Sequence, residues 1–166
     1  IESTTWLIGS LLSAAATGFS VQVAHFIGAN DFANARQVFR HALICGVAFS
    51  IFVSLLCVGI HSYLPYWLGG GADIATNSSR YFLIYGLVLP FVFLYHISEM
   101  MLKSAGNMHT PSVMAVLICI CDVIFNYLFI YILKLGVVGA ALGTAMAYVC
   151  ISLPNLYLAG FKNKIL

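Results

Sequence analysis

The chain has 166 residues, of which 62% are hydrophobic and 7% charged, with a mean hydropathy of +1.01. Soluble domains carry about 25% charged residues, so this chain has too little polar surface to face water all round and reads as a membrane protein. A formal net charge of +2, with no dense basic run, excludes nucleic acid as a partner.

Ile1, Glu2, Ser3, Thr4 and Thr5 offer neither an initiator Met nor the positive flank of a secretory signal. The expectation is a piece of a longer chain. The first apolar segment covers residues 4–28, long enough for a tilted span at about 1.5 Å per residue. Ser10, Ser13, Ala14, Ala15, Ala16, Thr17, Gly18 and Ser20 give it a small, hydroxylated face that reads as a close-packing surface, and Gln22 and His25 follow. Turn chemistry then precedes a helix start that Asn30 or Asp31 can cap, with Arg36 and Arg40 a turn apart on one face.

The second span, 40–61, is almost free of polar groups. Tyr63, Leu64, Pro65, Tyr66, Trp67 and Leu68 form an aromatic cluster suited to a headgroup interface. Gly69, Gly70 and Gly71 break the chain, and Asp73 can cap the third span, 74–104. Pro90 in its middle removes a backbone bond and predicts a kink. His96, Glu99 and Lys103 follow at spacings of three and four; Glu99 and Lys103 suit an intrahelical pair, or Glu99 lines a polar cavity.

The loop 105–111 leads into the fourth span, 112–133. A short reversal at 134–136 leads into the fifth, 137–160, where Gly139 and Gly143 have the GxxxG spacing of close helix contact. Lysine and arginine placement orients the spans: Arg36, Arg40, Lys103, Lys162 and Lys164 fall on one side, Arg80 and Lys134 on the other. The richer side is expected in the cytoplasm, which places there the loops 29–40 and 105–111 and the C-terminus.

The fourth span carries Asp122 and Asn126 in an otherwise apolar run, about one helical turn apart and so on one stripe. Mid-membrane, a charged carboxylate costs about 2.5 to 3.5 kcal/mol even on lenient insertion scales. The reversal makes the fourth and fifth spans antiparallel neighbours. Asn126 lies nine residues before Leu135 and Thr144 nine after, so both sit about 13 Å from the turn. Asp122 is one turn deeper. Its carboxyl either stays protonated or ionises and holds a cation, and oxygens from Asp122, Asn126 and Thr144 suit a hard cation such as sodium. Asp122 and Asn126 also suit plain interhelical hydrogen bonding, which averages about 0.6 kcal/mol inside membranes.

Cys45, Cys57, Cys119, Cys121 and Cys150 lie in apolar segments and act as small apolar residues rather than a disulfide framework. No cofactor is expected, nor an enzyme, because no nucleophile, base and orienter stand at workable spacing.

Several stretches, in order, carry a resemblance: Gln22 with Gly28 and Ala29 after the small-residue helix; Tyr81 and Phe82; residues 106–111; 126–130; and 136–144. Through them the chain resembles multidrug and toxic compound extrusion (MATE) transporters of the wider multidrug, oligosaccharidyl-lipid and polysaccharide exporter (MOP) superfamily. The resemblance implies an all-α, polytopic bundle whose five spans correspond to helices two to six of a twelve-helix fold. Residues 1–166 would then be a partial N-terminal lobe in the cell membrane, lacking the first helix and the C-terminal lobe.

The implied activity is export of small organic cations or drugs by alternating access, in exchange for protons or sodium. The implied coupling-ion site is Asp122, Asn126 and Thr144, with Asp122 at the position usually held by Asn and Asn126 at that of the Asp. Tyr81, Glu99 and Gln22 are the implied cavity residues. Two alternatives stay open: a flippase for lipid-linked oligosaccharides or polysaccharides, which needs a larger and more basic cavity, and a structural membrane subunit without transport.

Overall fold

The structure, a computed structural model, describes residues 2–67 and 72–162. Within them the chain is helical throughout: α1 (Glu2–Gly28), α2 (Phe32–Ile60), a short α3 (Leu64–Trp67), α4 (Ala72–Ser104), α5 (His109–Tyr127) and α6 (Gly136–Tyr157). π-Helical turns prolong α5 over Leu128–Ile132 and α6 over Leu158–Lys162. Five stretches are long and apolar enough to cross a bilayer: Ser3–Gly28, Phe32–Ile60, Thr76–Ser104, His109–Ile132 and Gly136–Gly160.

Two turns are built alike. Asn30 leaves α1 with φ 58°, the Asp31 N–H bonds the Phe26 carbonyl at 2.9 Å, and Asp31 then accepts from Asn34 N at 3.2 Å to cap α2. Gly106 leaves α4 with φ 79°, the Asn107 N–H bonds the Leu102 carbonyl at 2.9 Å, and Asn107 Oδ1 accepts from Thr110 N at 3.1 Å at the start of α5. Each turn closes one helix with a left-handed residue; Asp31 then caps α2, while Asn107 accepts from Thr110 N from one residue ahead of Met108, the α5 N-cap, whose own side chain makes no cap bond.

The boundaries differ from expectation where local chemistry outweighs hydropathy. α5 begins at His109 rather than residue 112, because Pro111 fits the first turn, where its missing N–H would have no helical partner anyway. Asp73 was expected to cap the third span; the helix starts at Ala72, so Asp73 is inside its first turn, and its side chain lies outside the described residues. The triple glycine at 69–71 also lies outside them. The aromatic cluster after α2 is a single helical turn, with Tyr63 and Trp67 exposed and Leu64 buried. α4 runs through Pro90 as one continuous helix.

α4 is the centre of the bundle. It touches α1, α2, α5 and α6, and Phe82, Leu89, Val92, Phe93, Ile97, Met101 and Leu102 are buried around its circumference. A helix that is apolar all round belongs in such a place. The Phe93 ring lies directly over Gly46 of α2, where any Cβ would collide with it. α5, by contrast, rests chiefly on α6, with a lighter contact to α4, and turns Val116, Ile120, Val123, Ile124 and Tyr127 outward. That apolar outer face matches hydrocarbon rather than water.

Candidate functional site

The α5–α6 contact is made by glycine. A Cβ at Gly143 would fall 2.9 Å from Asn126 Cγ and 3.0 Å from the Asn126 backbone nitrogen, and one at Gly139 would fall 2.8 Å from the Phe129 carbonyl oxygen. With hydrogen in place of a methyl, the helices approach closely enough for the Asn126 amide to lie flat over Gly143. Thr144, the next residue on α6, is thereby held opposite the α5 stripe that carries Asp122.

Asn126 Nδ2 donates to Asp122 Oδ2 at 3.0 Å. Asp122 Oδ1 and Asn126 Oδ1 are buried and have no hydrogen-bond partner among the described residues. Asp122 and Thr144 then share the wall of a cavity of about 190 Å3 with Ile118, Cys119, Ala147 and Tyr148. Acid, amide and hydroxyl are thus gathered at one level of the α5–α6 pair, two of their oxygens unpaired. Buried oxygens of this kind are costly unless a proton or cation satisfies them. The donor set is all oxygen, which suits a hard cation such as sodium as well as a proton.

A larger cavity, about 600 Å3, opens on the other side of Thr144 and Tyr148. Thr5, Trp6, Gly9, Ser10 and Ser13 of α1 wall it, together with Tyr85, Val92 and His96 of α4. Three aromatic rings and several hydroxyls face it, and among the described residues no lysine or arginine does. Tyr85 is fixed by donating its hydroxyl to the Thr5 carbonyl at 3.2 Å. Tyr148 stands edge-on to Tyr95, with ring centroids 5.7 Å apart.

The other sequence-derived candidates divide. Tyr81 borders a small crevice beside Tyr85, Thr144 and Tyr148. Glu99 is half-buried one turn beyond His96 and bonds Lys103, so the expected intrahelical pair is present, while the cavity wall itself is formed by His96. Gln22 does not belong to the cavity: it is exposed on α1, nine residues past Ser13, the last α1 residue of the wall. At about 1.5 Å per residue it is more than two turns away.

Tyr148 and Tyr85 were not among the sequence candidates, yet they wall the site. Tyr148 lies four residues after Thr144, so the same helical spacing that links Asp122 to Asn126 marks it. The small face of α1 was expected to be for packing; Ala16 and Ser20 are buried as that requires, but Ser10 and Ser13 face the cavity.

A family profile described as MatE matches residues 2–128. The multidrug export protein MepA of Staphylococcus saprophyticus is 26% identical over 136 residues, which cover 82% of this chain and 30% of that protein. An outward-facing multidrug resistance MATE family transporter of the MOP superfamily superposes with TM-score 0.87 at 24% identity, covering 95% of this chain and 36% of the transporter. A MATE structure in a bent conformation gives TM-score 0.89 at 23% identity, over 96% and 36% of the two chains. The chain therefore spans about a third of the length of the proteins it matches.

Proposed function

We propose, from the premise that this chain belongs to the MatE family, that it forms part of an exporter that carries organic cations across a membrane in exchange for protons or sodium. It is a multi-pass membrane protein with the helical fold of that family. In this reading Asp122, Asn126 and Thr144 bind the coupling ion, and the larger cavity receives cargo. Relatives named as multidrug exporters support the export of drugs.

The observation that carries the reading is the buried Asp122 oxygen that has no partner among the described residues, in the wall Asp122 shares with Thr144, with Asn126 bonded to the other oxygen of the same carboxylate. A buried carboxyl oxygen without a partner beside a small cavity is stabilised by a proton or a cation brought to it. The wall shared by Thr144 and Tyr148 sets that exchange next to the larger cavity. Aromatic rings there favour cationic cargo through their faces. The lack of lysine and arginine in its wall weighs against a lipid-linked sugar with its anionic phosphate.

Alternating access by rocking of packed halves is the mode expected of such a fold, with Pro90 of α4 as a point where bending is least opposed by backbone bonding. The lysine and arginine balance supports cytoplasmic placement of the turns at 29–31 and 105–108 with the first turns of α2 and α5 that follow them. The deciding experiment is Asp122→Asn in the intact protein reconstituted in liposomes. Efflux of a cationic dye driven by a proton or sodium gradient should stop while the protein stays folded. Unchanged gradient-driven efflux would remove Asp122 from the mechanism.

A further inference from the structure

Among the described residues, the larger cavity has the rings to hold a cation but no carboxylate in its own wall. A charge taken out of water needs an opposite one nearby. Asp122 stands in the separate, smaller cavity. The acid on the α4 side is Glu99, and it is already paired.

The pairing has a direction. His96 sits in the cavity wall, its ring edge-on to Tyr95 with centroids 5.5 Å apart, and its Nδ1 is 3.8 Å from Glu99 Oε2. On the far side, Lys103 Nζ donates to Glu99 Oε1 at 2.6 Å. The Glu99 side chain is 17% exposed and that of Lys103 39%. So a nearly enclosed carboxylate is held between an imidazole that faces the cavity and an ammonium near the end of α4, where Gly106 turns the chain. Of the three groups, Lys103 has the long flexible stem and the greatest access to water.

We infer that Lys103 is a tethered counter-ion for Glu99, displaced when cationic cargo enters beside His96. While the cavity is empty, Lys103 keeps the half-buried carboxylate from standing uncompensated, which would be costly. When a cation docks between Tyr148 and His96, Glu99 turns its charge to the cargo across His96, and Lys103 swings into the water beyond α4. Neutral cargo cannot release Lys103. The His96, Glu99 and Lys103 ladder then sorts cargo by charge, and Glu99 and Lys103 are specificity-determining residues. The inference rests on the exporter reading only for the identity of the ligand as cargo.

The test is direct binding of ethidium to the purified intact protein, followed by fluorescence polarisation, with an uncharged phenanthridine of the same ring system as control. Lys103→Met should tighten ethidium about threefold to tenfold, and Glu99→Gln should weaken it by a similar factor. Neither change should move the neutral ligand. Lys103→Arg should behave as the parent, and the tightening should vanish in the Glu99→Gln/Lys103→Met double variant. The inference is overturned if Lys103→Met leaves ethidium unchanged or weaker, if the neutral ligand shifts by the same factor, or if the parent binds no ethidium. Dye efflux from liposomes is read in parallel. Charge-selective binding without gradient-driven efflux would sink the exporter reading and leave the ladder standing.

Discussion

Asn126 and Asp122 are joined by one hydrogen bond of 3.0 Å, and each retains one buried oxygen with nothing to bond. The pair is locked in mutual orientation yet left incomplete. That is the condition of a site meant to accept something, and it gives the first expectation. In the MATE pattern the amide comes before the acid; here Asp122 precedes Asn126. Because both side chains lie on one stripe and face the same α6 surface, the double exchange Asp122→Asn/Asn126→Asp should keep gradient-driven efflux within about threefold of the parent. Asp122→Asn alone should abolish it. Loss of coupling in the double variant, with protein yield preserved, would show that the carboxylate must occupy position 122 itself.

Gly143 makes this geometry possible, so it should be intolerant of even one methyl group. A Cβ there meets Asn126 Cγ at 2.9 Å and its backbone nitrogen at 3.0 Å, and backbone cannot step aside as a flexible side chain can. Gly143→Ala should cost about 1 to 3 kcal/mol by overpacking and lower the thermal midpoint of the intact protein. Coupling should be impaired as well, because Asn126 must turn away. A parent-like midpoint would mean that α5 and α6 adjust their separation freely.

Tyr148 divides the smaller cavity from the larger one and lines both. Tyr148→Ala should merge them and uncouple cargo from ion, so that dye leaks down its own gradient when no ion gradient is imposed. Tyr148→Phe keeps the ring and should behave as the parent. Gln22→Ala, outside both walls, should leave dye affinity unchanged; a loss there would place cargo much further along α1.

The α1–α2 turn allows a test of folding independent of transport. Asp31 accepts from the Asn34 N–H at 3.2 Å and from its amide at 2.6 Å. Asp31→Ala should cost about 1 kcal/mol through the lost cap, read as a lower thermal midpoint with dye affinity intact. A drop in affinity at constant midpoint would instead give this turn a part in binding.

Much of this architecture was legible in the sequence because hydrophobic length alone dictates where a helix crosses lipid. The five spans, a cap at Asn30 or Asp31 and the antiparallel reversal before α6 follow from local chemistry and spacing, whereas spacing alone left Glu99 between pairing with Lys103 and lining a cavity. Boundaries were less legible: Pro111 reads as a loop residue until its place in the first turn of α5 is seen. The π-helical turn after Tyr127 is equally silent in sequence, since no residue type demands it.

The sequence by itself placed Asn126 and Thr144 at one depth and Asp122 one turn deeper, by the rise per residue counted from a tight turn. Only the tertiary structure decided that Gly143 brings the two helices close enough to press Asn126 onto α6 and to share one cavity between Asp122 and Thr144. It also decided that His96, Tyr85 and Tyr148 face a common space while Gln22 does not. Depth along a helix is a local property. Which way each helix face turns is settled by the packing of its neighbours, and here that packing is organised around α4.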